Sequence, residues 1–113
     1  MHELSLAQGV IDVIRAEAKA QAFERVSRVV LEVGALSCVD PHALEFGFQA
    51  VAKDSPAEGA SLEIRTPAGQ AHCFGCGRDV AVAARGAGCP ACGSYQLVVT
   101  GGEELKIKEL EVH

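Results

Sequence analysis

Hydrophobic residues in the first segment of the chain recur at steps of three and four, the spacing of one helix face. The repeating positions are Leu4, Ala7, Ile11, Ile14 and Ala18. Most of the polar residues between them fall on the opposite side. Gly9 weakens the helix by about 1 kcal/mol relative to alanine but does not erase the pattern. We predict an amphipathic helix here.

The pattern then changes to alternation, which indicates a strand from Val26 to Val33. One face presents Val29, Leu31 and Val33, and the other presents Arg28, Val30 and Glu32. Gly34 ends the strand. This segment is predicted to form the first strand of a sheet that packs against the helix.

A second helix is predicted to start at Asp40-Pro41, because aspartate caps a helix and proline fits its first position. Its buried stripe is expected to contain Leu44, Phe48 and Val51, with Phe46 nearby. Pro56 and Gly59 then break the chain.

Three further strands are predicted, at Ser61–Thr66, Tyr95–Thr100 and Leu105–Val112. In the first of these, Leu62 and Ile64 should point inward. The last segment is too apolar for a loose tail. We therefore expect it to return to the first lobe and complete its sheet.

These elements predict an α+β protein, with two helices packed on a small, mostly antiparallel sheet and an inserted second lobe. The predicted boundaries are 1–68 plus 100–113 for the first lobe and 69–99 for the second. The stretch from Pro67 to Gly93 is rich in glycine, alanine and cysteine. It lacks the large apolar residues needed to fold unaided, so a metal would have to stabilise it.

Four cysteines in that stretch have the spacing of a metal site, C-x2-C-x12-C-x2-C. They are Cys73, Cys76, Cys89 and Cys92. Each pair places two thiolates on one turn, and two facing turns make the tetrahedral site that zinc prefers. Gly77 and Gly93 follow the pairs, where the backbone must bend tightly. The alternative is redox motifs or disulfides, but no thioredoxin-like frame surrounds the pairs. We predict a structural zinc site in a zinc-ribbon-like lobe.

The charge distribution argues against nucleic-acid binding. The chain of 113 residues has a net charge of −5, and 49% of it is hydrophobic. Between Gln70 and Val99 the only charged residues are Arg78, Asp79 and Arg85. A zinc ribbon that binds nucleic acid would carry more cations to neutralise phosphates. A zinc-ribbon module for protein interaction, or for nucleic acid, stays as the alternative function.

The sequence also lacks the features expected of a membrane-associated protein and of an enzyme. There is no apolar signal segment and no stretch near 18 apolar residues, so we expect no membrane association. The odd cysteine, Cys38, fits a reducing cytoplasm better than secretion. No nucleophilic triad and no glycine-rich phosphate loop stands out. The chain is therefore expected not to be an enzyme.

A second metal site is suggested by the first three residues, Met1-His2-Glu3. The Met1 amine, the His2 amide nitrogen and His2 Nδ1 form two fused chelate rings in one plane. A deprotonated amide suits ions that favour square-planar geometry, chiefly Ni(II) and Cu(II). The fourth position stays open for Glu3, Asp40, water or a partner. The alternative interpretation is that His2 is a solvated histidine at a frayed terminus and binds no metal.

The remaining candidates are weaker. Cys38 is expected to be a buried small apolar residue, and His42 to be solvated. His72 adjoins Cys73 and is a possible competitor for zinc, whereas His113 is expected to be disordered. Asp40 is first a helix cap and only secondarily a ligand.

Together the motifs resemble the HypA/HybF family of hydrogenase nickel-insertion proteins. The matching motifs are Met1-His2-Glu3-Leu-Ser, Gly34-Ala-Leu-Ser, Asp40-Pro with Leu44…Phe46-Gly-Phe48, the CxxC pair with Cys89-Pro-Ala-Cys92-Gly-Ser, and Gly102-Glu-Glu-Leu-Lys-Ile. Any one motif is ambiguous, but their order and spacing are specific and span the chain.

The resemblance implies a nickel-binding lobe, which carries Ni(II) through His2 and nearby backbone nitrogens beside Glu3, and a structural zinc lobe. It further implies a nickel-binding GTPase partner, HypB, and delivery to the large subunit of [NiFe]-hydrogenase, or in some relatives to urease. The chain would be a monomer or homodimer. Some members carry histidines after the CxxC pairs. Here those positions hold Gly77, Arg78 and Gly93, which argues against a histidine-based zinc switch.

Overall fold

A computed structural model gives the fold of residues 2–113. The elements in chain order are α1 (His2–Gln21), β1 (Val26–Val33), α2 (Pro41–Val51), β2 (Ser61–Arg65), β3 (Gly69–Cys73), β4 (Asp79–Val82), β5 (Leu97–Gly101) and β6 (Leu105–Val112). The chain forms two compact units. Unit 1 comprises three segments: the residues up to Leu31, Val39–Ile64 and Ile107–His113. Unit 2 comprises Glu32–Cys38 and Arg65–Lys106.

The predicted first helix is confirmed as α1, and its inner face buries Ala7, Val10, Ile11 and Ile14. Leu4, which the pattern placed on that stripe, is instead 41% exposed. It lies at the edge of the arc that the buried positions occupy. The amphipathic pattern therefore identifies the helix, while the stripe begins one turn later than predicted.

The predicted cap of α2 is confirmed. Asp40 Oδ1 accepts hydrogen bonds from the backbone N–H groups of His42 at 2.9 Å and Ala43 at 3.4 Å. These bonds satisfy donors that have no acceptor within the helix. The inner face of α2 buries Leu44, Gly47 and Phe48, whereas Val51 is half-buried and Phe46 is exposed.

The first sheet has the strand order β2-β1-β6, which confirms that the last strand returns to complete it. At the end of the chain, His113 N–H donates to the carbonyl of Arg25 at 2.8 Å. Val30 is fully buried although the sequence places it on the same face as Arg28. Arg28 itself forms ion pairs with Glu63 at 2.6 Å and Glu111 at 2.8 Å, so it links all three strands.

The second sheet has the order β4-β3-β5, and both pairings are antiparallel. The sequence predicted β5 but not β3 or β4. The residues of β3 are small or polar and show little β-propensity, and β4 is only four residues long. A small core closes one side of this sheet. It consists of Leu36, Ala71 and Val82, with the half-buried Val80, Leu97 and Val99 packed against it.

Unit 2 is larger than the predicted second lobe of 69–99, because it includes 32–38, 65–68 and 100–106. Two contacts account for the difference. Leu36 is almost fully buried in the small core of this unit. The backbone of Gly34 also lies so close to Gly102 that a Cβ on Gly34 would overlap the Gly102 carbonyl group.

Candidate metal centre

The four predicted cysteines lie together in unit 2, and their sulfur atoms are all within 4.8 Å of one another. The Sγ atoms of Cys73 and Cys92 are 3.6 Å apart, and those of Cys76 and Cys89 are 3.9 Å apart. Tetrahedral zinc with bonds of about 2.3 Å requires sulfur atoms about 3.8 Å apart. The spacing therefore fits one zinc ion. It is far longer than the sulfur–sulfur bond of about 2.05 Å in a disulfide, and all five cysteines are free.

The first pair is held by a tight turn. Gly77 N–H donates to the carbonyl of Cys73 at 2.8 Å, and Cys73 N–H donates to the carbonyl of Arg78 at 2.8 Å. Gly77 has φ of +74°, a conformation that side-chain-bearing residues rarely adopt. The turn brings both thiols of this pair to the same side of the backbone.

The second pair repeats this turn. Gly93 N–H donates to the carbonyl of Cys89 at 2.7 Å, and Cys89 N–H donates to the carbonyl of Ser94 at 2.8 Å. Gly93 has φ of +79°. The glycine after each pair predicted both turns, but the sequence did not predict that the Ser94 carbonyl accepts the hydrogen bond from Cys89 N–H.

The surroundings of Cys89 favour its thiolate. Burial alone would raise the pKa of Cys89, but hydrogen bonds from the backbone N–H groups of Cys92 and Ala91 and from the neighbouring thiols lower it to about 7. One of these bonds joins Ala91 N to Cys89 Sγ at 3.4 Å.

Cys92 behaves in the opposite way. The N–H of Ser94 favours its thiolate, but burial and hydrogen bonds with the other thiols outweigh this and raise the pKa of Cys92 to about 11. In the cluster of four thiols, Cys89 therefore loses its proton readily, whereas Cys92 resists deprotonation. A divalent cation removes that resistance, because it binds thiolates.

His72 has a different partner. Its Nδ1 lies 2.9 Å from Asp79 Oδ1, and its ring makes an edge-to-face contact with Phe74 at 5.0 Å between centroids. His72 does not belong to the group of four sulfur ligands. The contacts tie the ring to the outer side of the second sheet.

The N-terminal candidates lie in unit 1. His2 Nδ1 is 3.5 Å from Glu3 Oε2, and the same carboxylate oxygen accepts a hydrogen bond from Asp40 N–H at 3.3 Å. The Met1 amine lies outside the described residues. Within 2–113, the cysteine quartet is the only group of three or more His, Cys, Asp or Glu side chains close enough to share an ion. The Asp40 carboxylate is therefore not gathered with His2 and Glu3.

Two of the weaker expectations are wrong. Cys38 is exposed and has φ of +61°, so it is not a buried apolar residue. Its Sγ donates to the carbonyl oxygen of Leu36 at 3.9 Å, so the side chain has a polar partner. His113 is not disordered, because its backbone pairs with Arg25 and its ring nitrogen Nε2 lies 2.9 Å from Ser27 Oγ. His42 is exposed, as expected.

The α+β fold and the closed cysteine quartet define a small metal-binding protein of two units. Among residues 2–113, no helix has both the length and the apolar character needed to cross a bilayer.

Residues 1–112 match the model of a family described as hydrogenase/urease nickel incorporation, metallochaperone, hypA. The chain belongs to this HypA family, and the resemblance drawn from its motifs is confirmed.

Relatives named as HypA match this chain over nearly its whole length. The chain is 54% identical to a hydrogenase maturation factor HypA of Alkalilimnicola ehrlichii over 112 residues, which cover 99% of each chain. It is 47% identical to the corresponding factor of Azotobacter vinelandii, again over 99% of each chain.

Solved structures share the fold. The solution structure of the nickel metallochaperone HypA from Helicobacter pylori matches with a TM-score of 0.71 at 24% identity, covering 97% of this chain and 96% of that one. A second HypA solution structure matches with a TM-score of 0.73 at 25% identity, covering 100% and 97%.

Proposed function

We propose that this chain binds Ni(II) at its N-terminus and delivers it during maturation of [NiFe]-hydrogenase, with urease as a second recipient to be tested. The ligands are the Met1 amine, the His2 amide nitrogen and His2 Nδ1, with Glu3 beside them. The cysteine quartet (Cys73, Cys76, Cys89 and Cys92) holds a structural zinc ion.

The position of His2 at the first turn of α1 is the observation that carries this proposal. The first four N–H groups of a helix have no acceptor within the helix. The His2 amide can therefore lose its proton to a metal without breaking a helical hydrogen bond. The resulting anionic nitrogen suits square-planar Ni(II).

A helix N-terminus carries a positive partial charge, which opposes a cation. Two negative groups offset it here. One is the deprotonated amide, and the other is the Glu3 carboxylate, 3.5 Å from His2 Nδ1. The hydrogen bond from Asp40 N–H holds that carboxylate near the start of both helices.

The fourth position is left for an exchangeable ligand. Asp40 Oδ1 is already engaged in capping α2, so Asp40 is a weaker candidate than Glu3, water or a partner's group. An open position allows a receiving protein to attach its own ligand before the nickel leaves. Four closed thiolates have no such opening, which suits a structural ion.

The chain has no glycine-rich phosphate loop with which to hydrolyse a nucleotide itself. We therefore assign nucleotide-driven steps to the nickel-binding GTPase HypB and the final transfer to the hydrogenase large subunit. The chain acts in the cytoplasm as a carrier, as a monomer or homodimer, and not as an enzyme.

A nickel titration followed by absorbance tests the site. Three chains are compared: the native chain, His2→Ala, and a chain with extra residues before Met1. Both altered chains should lose tight binding, because each change destroys a chelate ring. If the extended chain binds Ni(II) as well as the native one, the amine-based site is wrong. Zinc content should stay at one ion per chain in all three.

A further inference from the structure

Strand β6 lies at the edge of the first sheet, where β1 is its only neighbour among residues 2–113. Alternate residues of an edge strand point their backbone N–H and C=O groups away from the sheet, so that they can pair with one further strand. The other edge strand, β2, has five residues, whereas β6 has eight. The longer edge of this sheet is therefore β6.

An apolar groove lies beside this edge, between α1 and the end of β6. Its volume is about 370 Å³, and all the residues that line it belong to unit 1. Its apolar lining consists of Val13, Phe23, Ile107, Leu110 and Val112. Val13 is 48% exposed and Val112 is 43% exposed, so both walls of the groove present apolar surface to solvent. A strand added beside β6 would cover this surface with its own side chains.

The charges of β6 are separated into two blocks along the strand. Lys106 and Lys108 come first, and Glu109 and Glu111 follow. All four residues are exposed. At the centre of the strand, Lys108 and Glu109 are exposed one after the other, so the alternation of burial changes phase between them. The strand is therefore basic in its first half and acidic in its second half.

A strand with the reverse order of charges complements this edge, and a second copy of β6 in antiparallel orientation has that order. With a two-fold axis between Lys108 and Glu109, Lys108 lies beside Glu109 of the second copy. Ile107 then lies beside Leu110 of the second copy, so apolar residues also meet. Charged residues usually keep sheet edges apart. Here their order makes antiparallel contact attractive, whereas parallel contact would bring like charges together.

We propose that the edge of β6 from Ile107 to Val112, with the groove beside it, is a self-association surface on which β6 of a second copy of this chain pairs in antiparallel orientation. The two three-stranded sheets join into one of six strands. Because the same surface is used by both copies, the assembly closes at two. Nickel takes no part in this interface, so the proposal stands or falls separately from the proposed function.

Two charge reversals, Lys108→Glu and Glu109→Lys, test the pairing by sedimentation equilibrium of the zinc-loaded chain. Each variant alone places like charges at both centres of the two-fold interface, so the dissociation constant of its dimer should rise about tenfold or more. An equimolar mixture of the two variants restores opposite charges at both centres and should associate about as tightly as the native chain. Glu109→Lys leaves Arg28 its ion pairs with Glu63 and Glu111.

Lys53→Glu is the matched control. Lys53 is also an exposed lysine of unit 1, but it follows α2 and does not line the groove. It makes the same change of charge as Lys108→Glu and should leave the dimer native-like. Recovery of association in the mixture of Lys108→Glu and Glu109→Lys would show that neither variant fails through misfolding.

Hydrogen exchange measured at low and high protein concentration locates the interface. The amides of residues 107–112 in the native chain should gain protection as the dimer forms, because the second copy accepts hydrogen bonds from the outer edge of β6. The same amides in Lys108→Glu should show little gain at the same concentrations.

A native chain that stays monomeric would overturn the proposal, as would equal dimerisation of Lys108→Glu and the native chain. A mixture of the two reversed variants that fails to associate would overturn it too. If residues 107–112 gain protection only when purified GTPase HypB is added, a different protein covers this edge and the proposal is wrong. His2→Ala should dimerise like the native chain, so loss of nickel binding and loss of dimerisation are distinguishable.

Discussion

The backbone N–H of Gly77 donates to the carbonyl oxygen of Cys73 at 2.8 Å, and Gly77 reaches this position with φ of +74°. A Cβ at Gly77 would meet no other atom within 4 Å. Gly77→Ala should therefore act through backbone strain alone, at a cost of about 1–2 kcal/mol. Zinc affinity, measured by competition with a chromophoric chelator, should fall accordingly.

Gly9→Ala is the control for that substitution. Gly9 lies within α1 and also has open space around its Cα. The same added methyl group should stabilise unit 1 by up to about 1 kcal/mol, because alanine favours a helix. If Gly77→Ala retained native zinc affinity, the turn would not depend on its left-handed glycine.

Much of unit 1 could be predicted from the sequence because its signals are local. The period of Ala7, Ile11 and Ile14 is visible within a few turns, and the Asp40 cap is a local hydrogen bond. The cysteine quartet was also predictable, because a shared tetrahedral ion requires one distance between sulfurs whatever the intervening chain does, and the four sulfurs lie within 4.8 Å of one another.

The rest depends on contacts between distant segments. β3 contains only small or polar residues and becomes a strand because β4 and β5 pair with it on both sides. The burial of Leu36 against Ala71 and Val82 has no counterpart in any short window of sequence. The exposure of Phe46 could not be predicted either, because an apolar residue beside a buried stripe is indistinguishable in the sequence from a member of that stripe.

Removing the zinc should unfold unit 2 selectively. Its hydrophobic cluster is small: Leu36, Ala71 and Val82, with three half-buried side chains packed against them. This is too little apolar surface to offset the conformational entropy of the chain. A chelator should abolish amide protection between Gln70 and Val99, while α1 and β1 remain protected. Hydrogen exchange read by mass spectrometry measures both regions at once. Uniform loss of protection across the chain would contradict this expectation.

The acid stability of unit 1 should depend on Glu3. Its own backbone N–H, the N–H of Asp40 and the nearby His2 ring lower the pKa of Glu3 below its ordinary value of 4.5. A lowered native pKa means that the contribution is complete above pH 4.5 and disappears as the pH falls through the native pKa. Urea unfolding of zinc-free protein should show a native advantage over Glu3→Gln near neutral pH that vanishes in acid. A pH-independent difference would contradict the assignment.

Arg28 should stabilise the first sheet in a salt-dependent way. Its side chain is 30% exposed and pairs with Glu63 on β2 and Glu111 on β6. Arg28→Met keeps the apolar stem but leaves these carboxylates without their shared cation. The melting temperature should fall, and the difference should shrink in about 1 M salt. A double variant with Glu111→Gln should recover part of the loss, because a carboxylate that has lost its contact with Arg28 is removed. An additive effect would show that the pair is not coupled.

Gly34 should tolerate no side chain. A Cβ there would overlap the carbonyl group of Gly102, and Gly102 in turn faces Gly69, where a Cβ on Gly102 would lie 2.5 Å from Gly69 Cα. Three backbone segments therefore meet at these glycines, and an added methyl group cannot be accommodated by rotating a side chain. Gly34→Ala should destabilise unit 2 by about 1–3 kcal/mol. Gly101→Ala is the control, because its Cβ would make an ordinary contact of 3.7 Å with Gln70. Thermal unfolding of the zinc-loaded variants should separate the two, and equal melting temperatures would show that the backbone shifts freely at Gly34.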